Sequence, residues 1–166
     1  MTKEFTIRWL TADSVEADAS ELLRLLHALA QYEGWAKGMD ITQTELIRRA
    51  QLPETPFRAV VAEVATGSTE KSGARLSLVG VATLLTTNYS FSMRPALELE
   101  TLYVDGDWRR QGVGQAIMDA VIAHAKGGGY TKVEWNVLKS NARAQAFYAQ
   151  LGGEEQVQWR RWRVGL

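Results

Sequence analysis

Arg109-Arg110-Gln111-Gly112-Val113-Gly114 is the stretch that decides how this chain is read. It follows a strand-like run, Leu97 to Val104, and leads into a helix whose apolar stripe is Val113, Ala116, Ile117, Ala120, Val121 and His124. A helix start offers unpaired backbone N–H groups and the positive end of the helix dipole, and glycines let an anion approach without a Cβ in the way. Arg109, Arg110 and Gln111 can add charge or hydrogen bonds. A Walker loop would need Lys and then Ser or Thr after its second glycine, where Gln115-Ala116 stands. A dinucleotide fingerprint would need a third glycine where Ile117 stands, and a place near the start of a repeated βαβ unit. By itself the hexapeptide is a phosphate-type site of unspecified ligand, or a glycine-eased turn that holds none.

Working outward, Phe5 to Leu10 reads as a strand, and Thr11 to Ser14 as a turn before a helix with the stripe Ala19, Leu22, Leu23, Leu26, Leu29 and Ala30, stopped by Gly34. A short helix spans Thr42 to Ala50, closed by Pro53 and Pro56. Strands are expected at Phe57 to Val64 and Leu76 to Thr87, with Thr66 to Arg75 as a hairpin loop. Beyond the glycine turn and its helix, which ends at Gly127-Gly128-Gly129, come a strand at Lys132 to Leu138 and a helix from Asn141 to Leu151 that stops at Gly152-Gly153. A last strand is expected at Val157 to Val164. The series predicts one α/β domain over residues 1–166 with a mixed sheet.

Composition sets limits on function. Nineteen basic residues balance nineteen acidic ones, so the overall field that holds proteins on nucleic acid or anionic membranes is absent. The expected partner is a small molecule, with no nucleic acid and no membrane. The chain has no cysteine, which removes thiol nucleophiles, thiolate metal sites and disulfides. A cytoplasmic location is expected by default, since the start of the chain shows no signal-like apolar run. Asn88-Tyr89-Ser90 is then a chance sequon. His27 and His124 lack ligand company and read as structural, so no metal site is expected.

Two further segments give the turn a context. Leu99-Glu100-Thr101-Leu102-Tyr103-Val104 precedes it, and Asn141-Ala142-Arg143-Ala144-Gln145-Ala146-Phe147-Tyr148-Ala149-Gln150-Leu151-Gly152 follows. With the spacing Arg109-x-x-Gly112-x-Gly114, they resemble the Gcn5-related N-acetyltransferase (GNAT) superfamily: its fourth strand, its pyrophosphate turn, and its Asn-x-x-Ala-x-x-Phe-Tyr-x-x-x-Gly segment. Arg24 to Glu33, the Leu-Glu-x-x-Tyr-Val strand and the Trp-Arg end also resemble the diamine (spermidine/spermine) and thialysine branch. The resemblance implies a single α+β domain with a mainly antiparallel sheet flanked by helices. It also implies acetyl-coenzyme A (acetyl-CoA) as cosubstrate, a primary amine as acceptor, and a homodimer.

The same resemblance assigns roles. Leu102, Tyr103 and Val104 would meet the thioester carbonyl and pantetheine where a bulge splays the fourth strand from the fifth. Arg109, Arg110, Gln111, Gly112, Val113, Gly114 and Gln115 would meet the pyrophosphate, and Asn141 and Arg143 the pantetheine or nucleotide. Tyr148 falls at the position of the general acid, a role a protonated phenol can fill. Read from helix register alone, Tyr148 would be core beside Phe147. Glu98 and Glu100 alternate with Leu97 and Leu99 and so share one strand face, where a carboxylate could take an amine's proton. Glu100 matches a glutamate of the diamine branch and is the candidate base. The branch has acidic residues where this chain has Thr101 and Val157, which shortens the acidic track a polyamine would need. Tyr32 and Glu33, with Trp35, fall in a region that borders the acceptor pocket in the family. Trp159 and Trp162 fit either a dimer contact or a substrate wall. Acetylation of a protein N-terminus or lysine, and a CoA-binding module without turnover, stand as alternatives to small-molecule acetylation.

Overall fold

A computed structural model describes residues 4–53, 55, 57–66, 75–89, 93–158, 162 and 164–165. Their contacts divide the chain into two compact units, Met1–Trp135 and Asn136–Leu166. The first unit carries β1 (Thr6–Trp9), α1 (Val15–Tyr32), α2 (Gln43–Ala50), β2 (Phe57–Thr66), β3 (Arg75–Tyr89), β4 (Arg94–Val104), α3 (Val113–Gly127) and β5 (Val133–Trp135). The second carries α4 (Ala142–Gln150). The strands form a five-stranded sheet in the order β1-β2-β3-β4-β5, antiparallel except for the parallel β4–β5 pair. This is the mixed, mainly antiparallel sheet with flanking helices that the sequence predicts.

Sheet alternation separates two apolar layers. Val61 and Val81 join Ala19, Leu22 and Leu25 of α1 and Leu46 of α2 in one buried cluster. Gly80, next along β3, faces α3, where an added Cβ would meet Ile117 Cδ1 at 3.0 Å and Val113 Cγ1 at 3.1 Å. The missing side chain lets α3 lie close to the sheet. The buried stripe of α1 runs Val15, Ala19, Leu22, Leu25. It is rotated from the predicted one, because the sheet sets which face is covered. Arg8 binds Asp18 of α1 through both terminal nitrogens (2.8 and 2.7 Å) and Glu63 of β2 through Nε (2.6 Å). One half-buried guanidinium thus ties together three elements.

Several strand ends differ from expectation: β2 runs on to Thr66, β3 covers Arg75–Tyr89 and β4 begins at Arg94. β5 stops at Trp135 rather than Leu138, its last partner being Leu99. At Val157 to Val164 the described residues form no strand: Val157 and Gln158 lie in a turn, and Val157, Trp162 and Val164 are exposed. Arg160, Arg161 and Arg163 of this stretch lie outside the described residues. Trp159 lies outside the described residues, as does most of the expected hairpin loop, although β2 and β3 pair antiparallel on either side of it.

Candidate active site

The first unit brings a strand end and a turn together. Along the β3–β4 ladder, Thr83 pairs with Thr101 but Leu84 pairs with Leu99, which leaves Glu100 as the extra residue of a β-bulge. The pairing of β5 with β4 ends at Leu99, the residue before this bulge. Thr101 offsets the broken ladder with its side chain: the Thr83 N–H donates to Thr101 Oγ1 (3.2 Å), and the two hydroxyls lie 2.7 Å apart. Glu100 is exposed and Glu98 half-buried, with Glu134 of β5 beside Glu98 in register. Lys132 pairs with Glu134 at 2.7 Å, so that carboxylate has a counter-charge.

Past the bulge, β4 keeps β3 on one side while β5 no longer flanks the other. The Asp105 N–H donates to Val79 O on the β3 side, whereas Val104 O accepts from Arg109 Nε at 2.8 Å. Strand alternation then turns the backbone groups of Leu102 and Val104 away from β3. These are the polar groups that an extended ligand could pair with in place of a fifth strand.

Immediately afterwards the chain makes a short 3-10 turn at Gly106–Trp108 and enters the glycine segment. Arg110 (φ 60°) and Gly112 (φ 85°) are both left-handed, a conformation that is uncommon for a side chain the size of arginine. Gly112 is the N-cap of α3, its carbonyl accepting from the Ala116 N–H at 2.9 Å. Val113 is buried and anchors the helix start, so the N–H groups of the first turn of α3 face a fixed spot. An added Cβ on Gly112 would meet nothing within 4 Å, so the dihedral, not crowding, calls for glycine there. Gln111 Nε2 donates to Asp107 O (2.6 Å), bracing the turn, and Gln115 Nε2 donates to Asp119 Oδ1 (2.9 Å) one turn along α3.

Arg109 is engaged differently from its neighbours. Besides the bond to Val104 O, its guanidinium carbon lies 5.1 Å from the Tyr32 ring centre and 5.4 Å from that of Tyr103. Tyr32 is the last residue of α1 and Glu33 its C-cap. There the N–H of Trp35 bonds to Ala30 O and that of Gly34, at φ 78°, to Gln31 O, a Schellman ending. Earlier along α1, Arg24 reaches Asp105 (3.1 Å) and Leu78 O (2.7 Å). Burial lowers and its acidic partners raise the pKa of Arg24, and the balance is upward. For Glu21, burial works upward, but Arg24 and Ser77 together hold the carboxyl below its usual range. Neither Arg24–Asp105 nor the Tyr32–Arg109–Tyr103 contact has a sequence signal, since each joins residues distant along the chain.

The second unit has its own local order. Asn141 caps α4, its Oδ1 accepting from the Ala144 N–H at 3.1 Å. Tyr148 is half-buried with its ring edge-on to Phe147, centres 5.2 Å apart. Gly152 at φ 81° ends the helix, and the Gly153 N–H bonds to Tyr148 O at 3.0 Å. The Asn-x-x-Ala spacing is thus a helix cap and the closing glycine a helix stop. Arg143 is exposed.

His124 packs between Trp9 (4.6 Å) and Tyr130 (5.7 Å) on the β1 side of α3, and its buried Nε2 has no hydrogen-bond partner among the described residues. Among those residues no three metal-binding side chains cluster, and no helix is long and apolar enough to cross a membrane.

A strand end without its outer neighbour, followed by a left-handed glycine turn into a helix, provides for a long ligand with an extended polar arm and an anionic group. Residues 22–153 match the acetyltransferase (GNAT) family, and the chain belongs to it; it is an N-acetyltransferase. It is 31% identical over 151 residues to a thialysine N-epsilon-acetyltransferase of Bos taurus, covering 90% of this chain and 86% of that one. It is also 34% identical over 74 residues to an L-ornithine N5-acetyltransferase of Arabidopsis thaliana, covering 44% of this chain and 32% of that one. Its fold is similar to that of an aminoglycoside acetyltransferase from an uncultured soil metagenomic sample, with a TM-score of 0.74 at 22% identity and 97% of each chain covered.

Proposed function

We propose that residues 1–166 act as one domain that transfers an acetyl group from acetyl-CoA to the primary amine of a small molecule. The observation that carries this reading is the coincidence of the Glu100 bulge, the end of β4–β5 pairing at Leu99 and the left-handed Gly112 at the start of α3. The backbone of Leu102 to Val104 pairs with the pantetheine arm and the thioester carbonyl, and Arg110 to Gln115 hold the pyrophosphate. Asn141 and Arg143 contribute to the pantetheine or nucleotide portion. The amine lone pair attacks the carbonyl carbon. A C–N bond forms, the C–S bond breaks, Glu100 takes the ammonium proton directly or through water, and the Tyr148 hydroxyl protonates the departing thiolate. Glu98, Tyr32 and Glu33 border the acceptor.

Relatives that act on thialysine and on ornithine support a small amino-bearing acceptor. We place the enzyme in the cytoplasm as a homodimer. Incubation with acetyl-CoA and a panel of diamines, basic amino acids, aminoglycosides and lysine peptides, read by thiol release, tests the proposal. Turnover on a small amine and none on peptides is expected; turnover confined to peptides, or CoA binding without turnover on any amine, refutes it.

A further inference from the structure

The first arginine of the glycine segment is the side chain whose surroundings fit least with a phosphate ligand. Its Nε is committed to Val104 O at 2.8 Å, and its guanidinium lies over two tyrosine rings at 5.1 and 5.4 Å. One of those rings is fixed: Tyr103 packs against the apolar cluster beneath α1. The other is not fixed by packing, since Tyr32 is 54% exposed at the end of α1. A planar guanidinium can stack on aromatic faces while one N–H holds a carbonyl in its plane; an ammonium group cannot do both.

We propose that Arg109 is a positioning residue. It carries the order of the core, through Tyr103, to the end of α1, and so fixes the wall past which the acceptor amine reaches the β4 edge. As a role in the reaction this rests on small-amine acetylation as proposed above. The pyrophosphate is left to Arg110 and to the backbone of the turn. Arg24–Asp105 secures the same helix to the same strand end roughly two turns earlier, so loss of Arg109 frees the last turn of α1 without undocking the helix.

The absence of cysteine allows a clean probe: Gln31→Cys, at an exposed site on α1, carries a single nitroxide. Arg109→Lys keeps the charge and loses the planar stack. The nitroxide spectrum should narrow in Arg109→Lys and in Tyr32→Leu but not in Tyr32→Phe, which keeps the ring. In the Arg109→Lys and Tyr32→Leu proteins, KM for the amine should rise at least about fivefold while the calorimetric Kd for CoA moves less than about threefold. An unchanged spectrum overturns the proposal, as does a CoA Kd weakened about tenfold or more with KM for the amine unchanged. Absence of turnover by the parent protein on every small amine would sink the substrate reading instead, and the spectra would still decide whether Arg109 orders α1.

Discussion

Replacing Gly112 with alanine separates two consequences of the left-handed turn. Its φ of 85° is unfavourable for an L-residue, by about 1–2 kcal/mol. No clash adds to that, since the new Cβ meets nothing within 4 Å. For a chain of this size each kcal/mol lowers Tm by about 2–4 °C, so Gly112→Ala should melt about 2–8 °C below the parent. Gly129 is a matched control: its φ is 70°, an added Cβ there also meets nothing within 4 Å, and it lies at the other end of α3. Gly129→Ala should therefore lose about the same stability. The two variants should diverge in ligand binding. At Gly112 the Cβ stands where the backbone would meet the pyrophosphate, and CoA affinity should fall at least about tenfold, or roughly 1.4 kcal/mol. At Gly129 it should not change. Thermal unfolding and calorimetric CoA titration measure both. If Gly112→Ala melts like Gly129→Ala and still binds CoA like the parent, the turn is only a helix start and the pyrophosphate site lies elsewhere.

Tyr148→Phe should lower turnover by about 10- to 1000-fold with little change in the Kd for CoA, measured by steady-state rates and calorimetry; a fully active variant removes the acid role. Thr101→Val takes from the buried Thr83 hydroxyl its 2.7 Å partner and from the Thr83 N–H its acceptor. It should cost about 1–3 kcal/mol in denaturant unfolding and reduce turnover by loosening the bulge at Glu100, and unaltered stability and rate would show the bulge to be held by the backbone alone. His124 has its pKa lowered from 6.5, chiefly by burial and secondarily by the Arg58 charge. The unfolded chain therefore binds its proton first, so the contribution of His124 is intact above pH 6.5 and is lost as the pH falls through the lower folded value. Stability measured over that window should decline in the parent and less steeply in His124→Phe; parallel slopes would exclude His124 as the source.

Local patterns made most of the fold legible. Apolar residues at three- and four-residue steps mark α1 and α3 as helices, Gly34 and Gly152 mark helix stops through their left-handed dihedrals, and Asn141 marks a cap through its side-chain oxygen. The strand expected at Val157 to Val164 falls partly outside the described residues, and its start, Val157 and Gln158, lies in a turn. Alternation alone makes Glu98 and Glu100 a simple pair on one strand face. The ladder places Glu100 as the bulge residue, with Thr101 repairing the gap it opens, and this depends on Thr83 of another strand.

The sequence by itself determined that a glycine-permitted turn starts a helix after a strand, and that the chain shares its family's motifs. Both follow from contacts between near neighbours, where a dihedral or a cap depends on a few consecutive residues. Only the tertiary structure decided what each side chain of the turn is occupied with. Arg109 and Arg110 are adjacent and chemically identical, yet one lies over Tyr32 and Tyr103 and the other is exposed at the turn. That division arises because the sheet brings the end of α1 against the end of β4, and its core sets how closely they approach.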